Sequence, residues 1–134
     1  MILATLGNAR LFALLVLAAL GVAPVARANI NDYEFTIIEK EIKKGDAIVS
    51  VRLIHKPDGK LVPDAVIFAT RLDMAPDGME MMTTDIERLA SVERGVYRFK
   101  TALTMAGRWR LSLAAKLQGE NGTLQSKLML KALP

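Results

Sequence analysis

Hydrophobic and polar residues alternate with a period of two along most of the chain after residue 32, a pattern typical of half-buried β-strands. The alternation predicts strands over residues 33–38, 47–55, 65–72, 96–103, 108–117 and 123–131. In the third of these, four side chains are expected to lie in one row: Val66, Phe68, Thr70 and Leu72. Over residues 85–92 the period does not decide between a short strand and a helical turn.

The segments between these strands have the composition of turns. Residues 56–60 and 118–122 contain Gly with Pro, Asp or Asn, and Gly107 closes a hairpin-length connection. About seven strands at such spacings, without a helical period after residue 28, predict an all-β fold, an immunoglobulin-like β-sandwich of antiparallel strands. Tyr97, at the start of a late strand, is a candidate for the tyrosine corner of such sandwiches.

The first 28 residues have the pattern of a secretory signal peptide. Arg10 supplies a positive start, an apolar run follows over residues 11–23, and the small-x-small sequence of residues 26–28 is typical of a cleavage site. The run is shorter than a membrane-spanning helix requires, so a retained anchor is the weaker alternative. The sequence therefore predicts a signal peptide over 1–28, a single domain over 29–134, and export to the periplasm.

Charge and composition exclude several functions. The net charge of +4 falls to +2 once Arg10 and Arg27 are removed with the leader, and no dense basic run suits nucleic acid. The chain has no cysteine, which removes disulfides, thiolate metal sites and cysteine nucleophiles. With one histidine, no G-x-S-x-G sequence and no phosphate-binding glycine loop, we expect neither an enzyme nor a small-molecule substrate.

The stretch with the clearest chemical character is residues 73–82, which holds four of the seven methionines. Thioether sulfur is a soft donor suited to Cu(I), and a loop interrupted by Pro76 and Gly78 could turn several sulfurs toward one point. Its acids, Asp73, Asp77 and Glu80, are expected to raise the local negative potential and favour capture of a cation. The alternative is that these methionines fill irregular gaps beneath a long loop.

Three pieces of the sequence form a pattern that resembles the YtkA-like/FixH family of exported or membrane-anchored β-sandwich domains. They are the methionine-bearing stretch, then Gly95-Val96-Tyr97, then Met105-Ala106-Gly107-Arg108-Trp109. The resemblance extends over about residues 33–131. It implies an association with copper handling or cation pumps, including assembly of copper-containing oxidases.

With the resemblance included, the sequence predicts a periplasmic Cu(I)-binding carrier or chaperone. The metal ligands would be Met74, Met79, Met81 and Met82, with Met105 joining them if the two loops meet at one end of the sandwich. Its expected partner is a membrane cation transporter, an efflux complex or a copper oxidase. A metal-free interaction module that docks on a transporter or efflux complex is the second hypothesis. Trp109 is interpreted as a core anchor and His55 as a surface histidine.

Overall fold

The structure is a computed structural model that describes residues 29–134, so the signal-peptide prediction for residues 1–28 lies outside the described part. Ten strands follow in chain order: β1 (Tyr33–Ile37), β2 (Glu41–Lys43), β3 (Gly45–His55), β4 (Lys60–Leu61), β5 (Val66–Met74), β6 (Met79–Thr84), β7 (Ile86–Leu89), β8 (Val96–Leu103), β9 (Gly107–Lys116) and β10 (Leu124–Leu133). Single-turn 3-10 helices lie at Ile30–Asp32 and Ala75–Asp77.

The strands form two sheets. The first has the order β1-β3-β8-β7, with β4 paired to the end of β3, and the second has the order β2-β10-β9-β5-β6. The immunoglobulin strand letters A to G can be assigned in chain order to β1, β3, β5, β7, β8, β9 and β10. The two sheets are then ABED and CFG, with β6 added beside C. This is immunoglobulin topology, so the predicted fold class is confirmed.

The core lies between the sheets and is built by the alternation that predicted the strands. On β3 the side chains of Val49, Val51 and Leu53 are fully buried, and on β9 Trp109 and Leu111 are equally buried. Residues between these positions face outward, which gives each sheet one packed face and one solvated face. The fully buried Trp109 confirms its interpretation as a core anchor.

Three details of the predicted strands were wrong or incomplete. A register shift between Ile67 and Ala69 breaks the single row that was expected along β5. As a result Val66 and Phe68 are more than half exposed, because the extra residue of a β-bulge reverses which side chains face the core. The short strands β2 and β4 were missed, and β2 pairs with β10 in parallel. Residues 86–89 of the undecided segment form strand β7.

Candidate functional site

The predicted methionine loop is a β-hairpin. β5 continues through Met74, Pro76 lies in the 3-10 turn Ala75–Asp77, and Gly78 takes a left-handed conformation with φ of 78° before β6 begins. Met74 and Met79 are partners in the pairing of β5 with β6. Pro76 and Gly78 therefore make a tight connection between strands, and most of the methionines lie on regular β-structure.

The five predicted ligands differ widely in exposure. Met74 is fully buried in the core, while Met79 and Met82 are partly buried and pack against it. Met81 is 90% exposed, and Met105, in the connection between β8 and β9, is 37% exposed. The accessible thioethers are therefore those of Met81 and Met105, with Met79 and Met82 partly accessible.

The hairpin and the β8–β9 connection meet at one end of the sandwich, as the sequence suggested they could. Gly107 has a φ of +139°, and a Cβ atom placed on it would lie 2.6 Å from the Met74 Cε atom. The same Cβ would lie 2.6 Å from the Asp77 Oδ2 atom. Glycine at this position therefore allows the hairpin to approach the start of β9 closely.

Arg108 fixes this contact. Its backbone N–H donates to Asp77 Oδ2 at 2.8 Å, its Nε donates to Asp77 Oδ1 at 2.7 Å, and its Nη2 donates to the Pro76 carbonyl at 2.8 Å. The hydrogen bonds from the Arg108 backbone and guanidinium hold the pKa of Asp77 below its ordinary value. On the other side of the connection, Trp109 Nε1 donates to the Met105 carbonyl at 3.0 Å.

Asp73 is a fully buried carboxylate beside the hairpin. Burial by itself raises its pKa, but hydrogen bonds from the Ala75 N–H, Arg110 and Arg71 outweigh that effect and leave the pKa below its ordinary value. The Arg71 Nε atom is 2.9 Å and the Arg110 Nη2 atom 3.1 Å from Asp73 Oδ2. Asp73 therefore stays ionised in the native protein.

These ion pairs correct one expectation about the site. Asp73, Asp77 and Glu80 were expected to supply a negative potential for cation capture. Asp73 is paired with two arginines and Asp77 with Arg108, so these two carboxylates are already neutralised locally. Glu80 is the exposed acid of the three, and its Oε1 atom lies 3.9 Å from the Arg110 Nη2 atom.

Tyr97 makes the upstream hydrogen bonds that were expected, but it is not a tyrosine corner. Its hydroxyl donates to the Val62 carbonyl at 2.8 Å and accepts from the Ala65 N–H at 3.0 Å. Those backbone groups lie more than 30 residues upstream of Tyr97. In a tyrosine corner the hydroxyl bonds to the backbone only a few residues upstream, and the tyrosine lies on strand F, the sixth strand. Tyr97 lies on β8, the fifth, where it holds the connection between β4 and β5 against the sheet.

Gly95 also contributes to the contact between the β4–β5 connection and the start of β8. A Cβ atom on it would lie 2.8 Å from the Leu61 Cβ atom, so glycine allows β4 to approach the start of β8. The Gly95-Val96-Tyr97 and Gly107-Arg108-Trp109 sequences thus serve the same purpose, which is to hold a distant loop against the start of a strand. Both motifs were recognised from the sequence, but the partners in these contacts, Asp77, Val62, Ala65 and Leu61, were not predicted, since contacts across more than 30 residues leave no local pattern.

His55 is a partly exposed surface residue, as interpreted from the sequence. Its Nδ1 atom lies 3.0 Å from Asp58 Oδ1, and its ring packs against Tyr33 with a centroid distance of 4.9 Å. Within residues 29–134, no group of three or more His, Cys, Asp or Glu side chains is arranged to hold a metal ion.

The strand topology and the β5–β6 hairpin, which Arg108 holds against β9, define the class of the protein. It is an immunoglobulin-like sandwich that carries a methionine-bearing hairpin at one end. The model of the YtkA-like family matches residues 27–114, and the chain belongs to that family. The match covers the hairpin and both glycine motifs. No curated protein matches the sequence.

Several solved structures are similar in shape. The adhesin FdeC of Escherichia coli is 17% identical with a TM-score of 0.47, and the match covers 81% of this chain but only 33% of FdeC. The filamin domain of Lin-41 is 18% identical over 67% of this chain and 88% of its own, with a TM-score of 0.42. The C-terminal domain of ZirS is 11% identical over 87% and 86%, with a TM-score of 0.47.

Proposed function

We propose that this protein is an exported Cu(I)-binding carrier or chaperone for a metal transport, efflux or oxidase-assembly system. The observation that supports the proposal is the contact between the β5–β6 hairpin and the β8–β9 connection, which brings the two methionine-bearing segments to one end of the sandwich. Cu(I) is the cargo in this proposal, and soft thioether donors suit it.

The exposure of each methionine narrows the ligand set. Met81 and Met105 are accessible, and Met79 and Met82 are accessible in part. The Met74 thioether packs against Gly107 inside the core, so its sulfur could bind metal only if the hairpin separated from β9. We therefore propose Met79, Met81, Met82 and Met105 as the ligands and give Met74 a packing role.

The donor set also bears on selectivity. Zinc prefers thiolate, imidazole and carboxylate ligands, and at the hairpin Asp73 and Asp77 are engaged by arginines. Thioethers do not have to lose a proton to bind metal, so Cu(I) binding should depend little on pH. The proposal therefore predicts Cu(I) binding with weak zinc binding.

The triple substitution of Met79, Met81 and Met82 by Leu tests the site. It deletes three sulfurs and keeps the apolar volume, so stability should change little while Cu(I) affinity falls by on the order of tenfold or more. A competition titration with a Cu(I) chelator under reducing conditions measures the affinity. Native mass spectrometry of the protein recovered after export reports the Cu(I) stoichiometry. The measured mass of the exported polypeptide shows whether it begins at Asn29.

Two single variants serve as controls. Met129→Leu removes a half-exposed thioether from β10, outside the proposed ligand set, and should leave the affinity unchanged. Met74→Leu should also retain it, because the Met74 thioether packs in the core. Undiminished affinity in the triple variant would refute the site and leave these methionines as packing residues.

A metal-free interaction module that docks on a membrane transporter or efflux complex is the second candidate. The packing of Met74, Met79 and Met82 against the core favours it, since that packing alone accounts for apolar residues at these positions. Under this alternative the triple Leu variant would still dock on the transporter or efflux complex.

Within residues 29–134, no helix has the length and hydropathy needed to cross a membrane.

A further inference from the structure

A shallow groove of about 400 Å³ lies on the outer face of the sheet formed by β5, β9 and β10. Its outward-facing lining residues are Ala69, Arg71, Ser112, Ala114, Gln125 and Lys127. The groove exists because the central strand, β9, carries only the small side chains of Ser112 and Ala114 at these positions. Longer side chains on the flanking strands form its walls.

The strand register sets two rows across the groove. Ala69, Ala114 and Gln125 form one row, and Arg71, Ser112 and Lys127 form the next. Since neighbouring strands are about 4.8 Å apart, the backbones of Arg71 and Lys127 lie about 10 Å apart on opposite sides of Ser112. That separation is the width that one extended polypeptide segment needs.

The charge of this face is positive. Within residues 29–134, no lining residue of the groove is acidic, and the same face of β9 and β10 continues with Arg110, Lys131 and Arg108. Asp73 and Glu80 offset Arg71 and Arg110, and Asp77 offsets Arg108. The net positive charge of the face therefore comes from Lys127 and Lys131 on β10. A partner that carries carboxylates would therefore be attracted to the groove.

Apolar surface adjoins the groove on β5. The β-bulge at Phe68 leaves this side chain 56% exposed immediately before Ala69, and Val66 is exposed to a similar extent. Exposed apolar residues beside a polar, charged rim are a common feature of protein interaction sites. The combination favours a partner with both acidic and apolar side chains.

We propose that this groove binds an extended acidic segment of a partner protein. Carboxylates of the segment pair with Lys127 and with the remaining N–H groups of Arg71, whose Nε and Nη2 atoms already donate to Asp73 and to the Glu80 carbonyl. Alternate apolar side chains pack on Ala69, Ala114 and Phe68, as the period of two in an extended chain allows. A concave surface fits a polypeptide segment better than a planar membrane. The inference does not depend on Cu(I) binding, and it gives a surface and a partner chemistry to the second candidate function.

The test uses an eight-residue peptide of alternating Glu and Leu with blocked ends, titrated into the isotope-labelled exported protein and followed by amide NMR shifts. We expect saturable shifts centred on Ala69, Ser112 and Ala114. Lys127→Glu should weaken binding by on the order of tenfold, because it replaces an attraction by a repulsion. Ala114→Trp should abolish binding by filling the groove without changing its charge, and raised salt should weaken it.

Lys100→Glu is the matched control, since Lys100 is an exposed cation on the outer face of the other sheet. It should bind the peptide as the unaltered protein does. The triple Met79, Met81 and Met82 to Leu variant should also bind the peptide normally, which separates failure of the Cu(I) proposal from failure of this one. A urea unfolding curve for each variant confirms that it is folded.

Three outcomes would overturn the proposal. The first is a Lys-Leu peptide that binds as well as the Glu-Leu peptide. The second is a set of shifts centred outside β5, β9 and β10, for example on the free edge of β6. The third is the absence of peptide binding combined with Lys127-dependent binding to phosphatidylglycerol vesicles, which would assign this face to a membrane surface.

Discussion

At the scale of single residues, the phenol of Tyr97 fixes the path of the chain before β5. Its hydroxyl donates to one backbone group and accepts from another, and the side chain is almost fully buried. Burial raises the pKa of Tyr97, while the Ala65 N–H and the nearby Arg88 oppose the rise. The phenol therefore remains protonated and can keep its role as donor to Val62.

Tyr97→Phe should lower the free energy of unfolding by about 1–3 kcal/mol, because the Val62 carbonyl and the Ala65 N–H both lose a buried partner. Urea denaturation measures the change. Tyr33→Phe is a suitable comparison, since the Tyr33 hydroxyl donates to Glu120 at a partly exposed position and should cost less. An unchanged urea midpoint for Tyr97→Phe would mean that these two hydrogen bonds contribute nothing.

At the scale of elements, the β5–β6 hairpin is attached to β9 by one glycine and one ion pair. Gly107 leaves room for the Met74 Cε atom and for the Asp77 carboxylate, and Arg108 holds that carboxylate with its backbone and its guanidinium. Asp77 cannot move aside without breaking these hydrogen bonds. The attachment therefore depends on the absence of a side chain at residue 107.

Gly107→Ala should destabilise the protein by about 1–3 kcal/mol, through strain at a positive φ and through displacement of Asp77. Gly45→Ala is the better-matched control, because Gly45 has a φ of +112°, nearer to that of Gly107, and a Cβ there would meet nothing within 4 Å. Thermal or urea unfolding of both variants measures the difference. Equal destabilisation of the two would show that the close contact with the hairpin adds nothing to the backbone strain.

At the scale of the whole molecule, the stability of the sandwich should depend on acid through its paired carboxylates. The pKa values of Asp73 and Asp77 are lower in the folded protein than in the unfolded chain. A group with a lowered folded-state pKa stabilises fully above its unfolded value of about 3.9, and that contribution is lost as the pH falls through the folded value. Stability should therefore be flat at neutral pH and fall below about pH 4.

Asp73→Asn should reduce this acid dependence, because the neutral amide no longer gains from ionisation beside Arg71 and Arg110. It should also lower stability at pH 7, where the partly buried Arg110 and the half-exposed Arg71 would lose their buried counter-charge. Urea midpoints measured from pH 2.5 to 7 for both proteins give the comparison. If the urea midpoints of the two proteins fall in parallel below about pH 4, Asp73 does not contribute to the loss of stability in acid.

The sequence predicted the fold well because the alternation of side chains is set locally. A strand with one buried face must place apolar residues at every second position. β9 follows that rule throughout, and β8 follows it from Tyr97 onward. The rule failed at β5, where the bulge at Phe68 changes the register. It also missed β2 and β4, which are too short to show a period.

The candidate site shows what the sequence alone determined. The number of methionines, the absence of cysteine and the turn residues Pro76 and Gly78 are local facts, and they predicted a loop that carries thioethers. The resemblance to the YtkA-like family depended on that stretch together with the two glycine motifs, and the family is confirmed. The sequences Gly95-Val96-Tyr97 and Gly107-Arg108-Trp109 form a recognisable pattern, but only the folded structure shows that each holds a distant loop. Local sequence patterns therefore predicted the fold, which is confirmed, and named thioether sulfur as the candidate donor, which stays a prediction.

Tertiary structure alone decided which of these groups are accessible and which charges are free. Met74 is buried while Met81 is exposed, although both belong to the same hairpin, because β5 places Met74 against the core and Met81 projects into solvent from β6, the last strand of its sheet. Asp77 lies 31 residues before Arg108 and is paired with it only in the folded chain. Burial and pairing depend on contacts between distant segments, and no local pattern of residues specifies them.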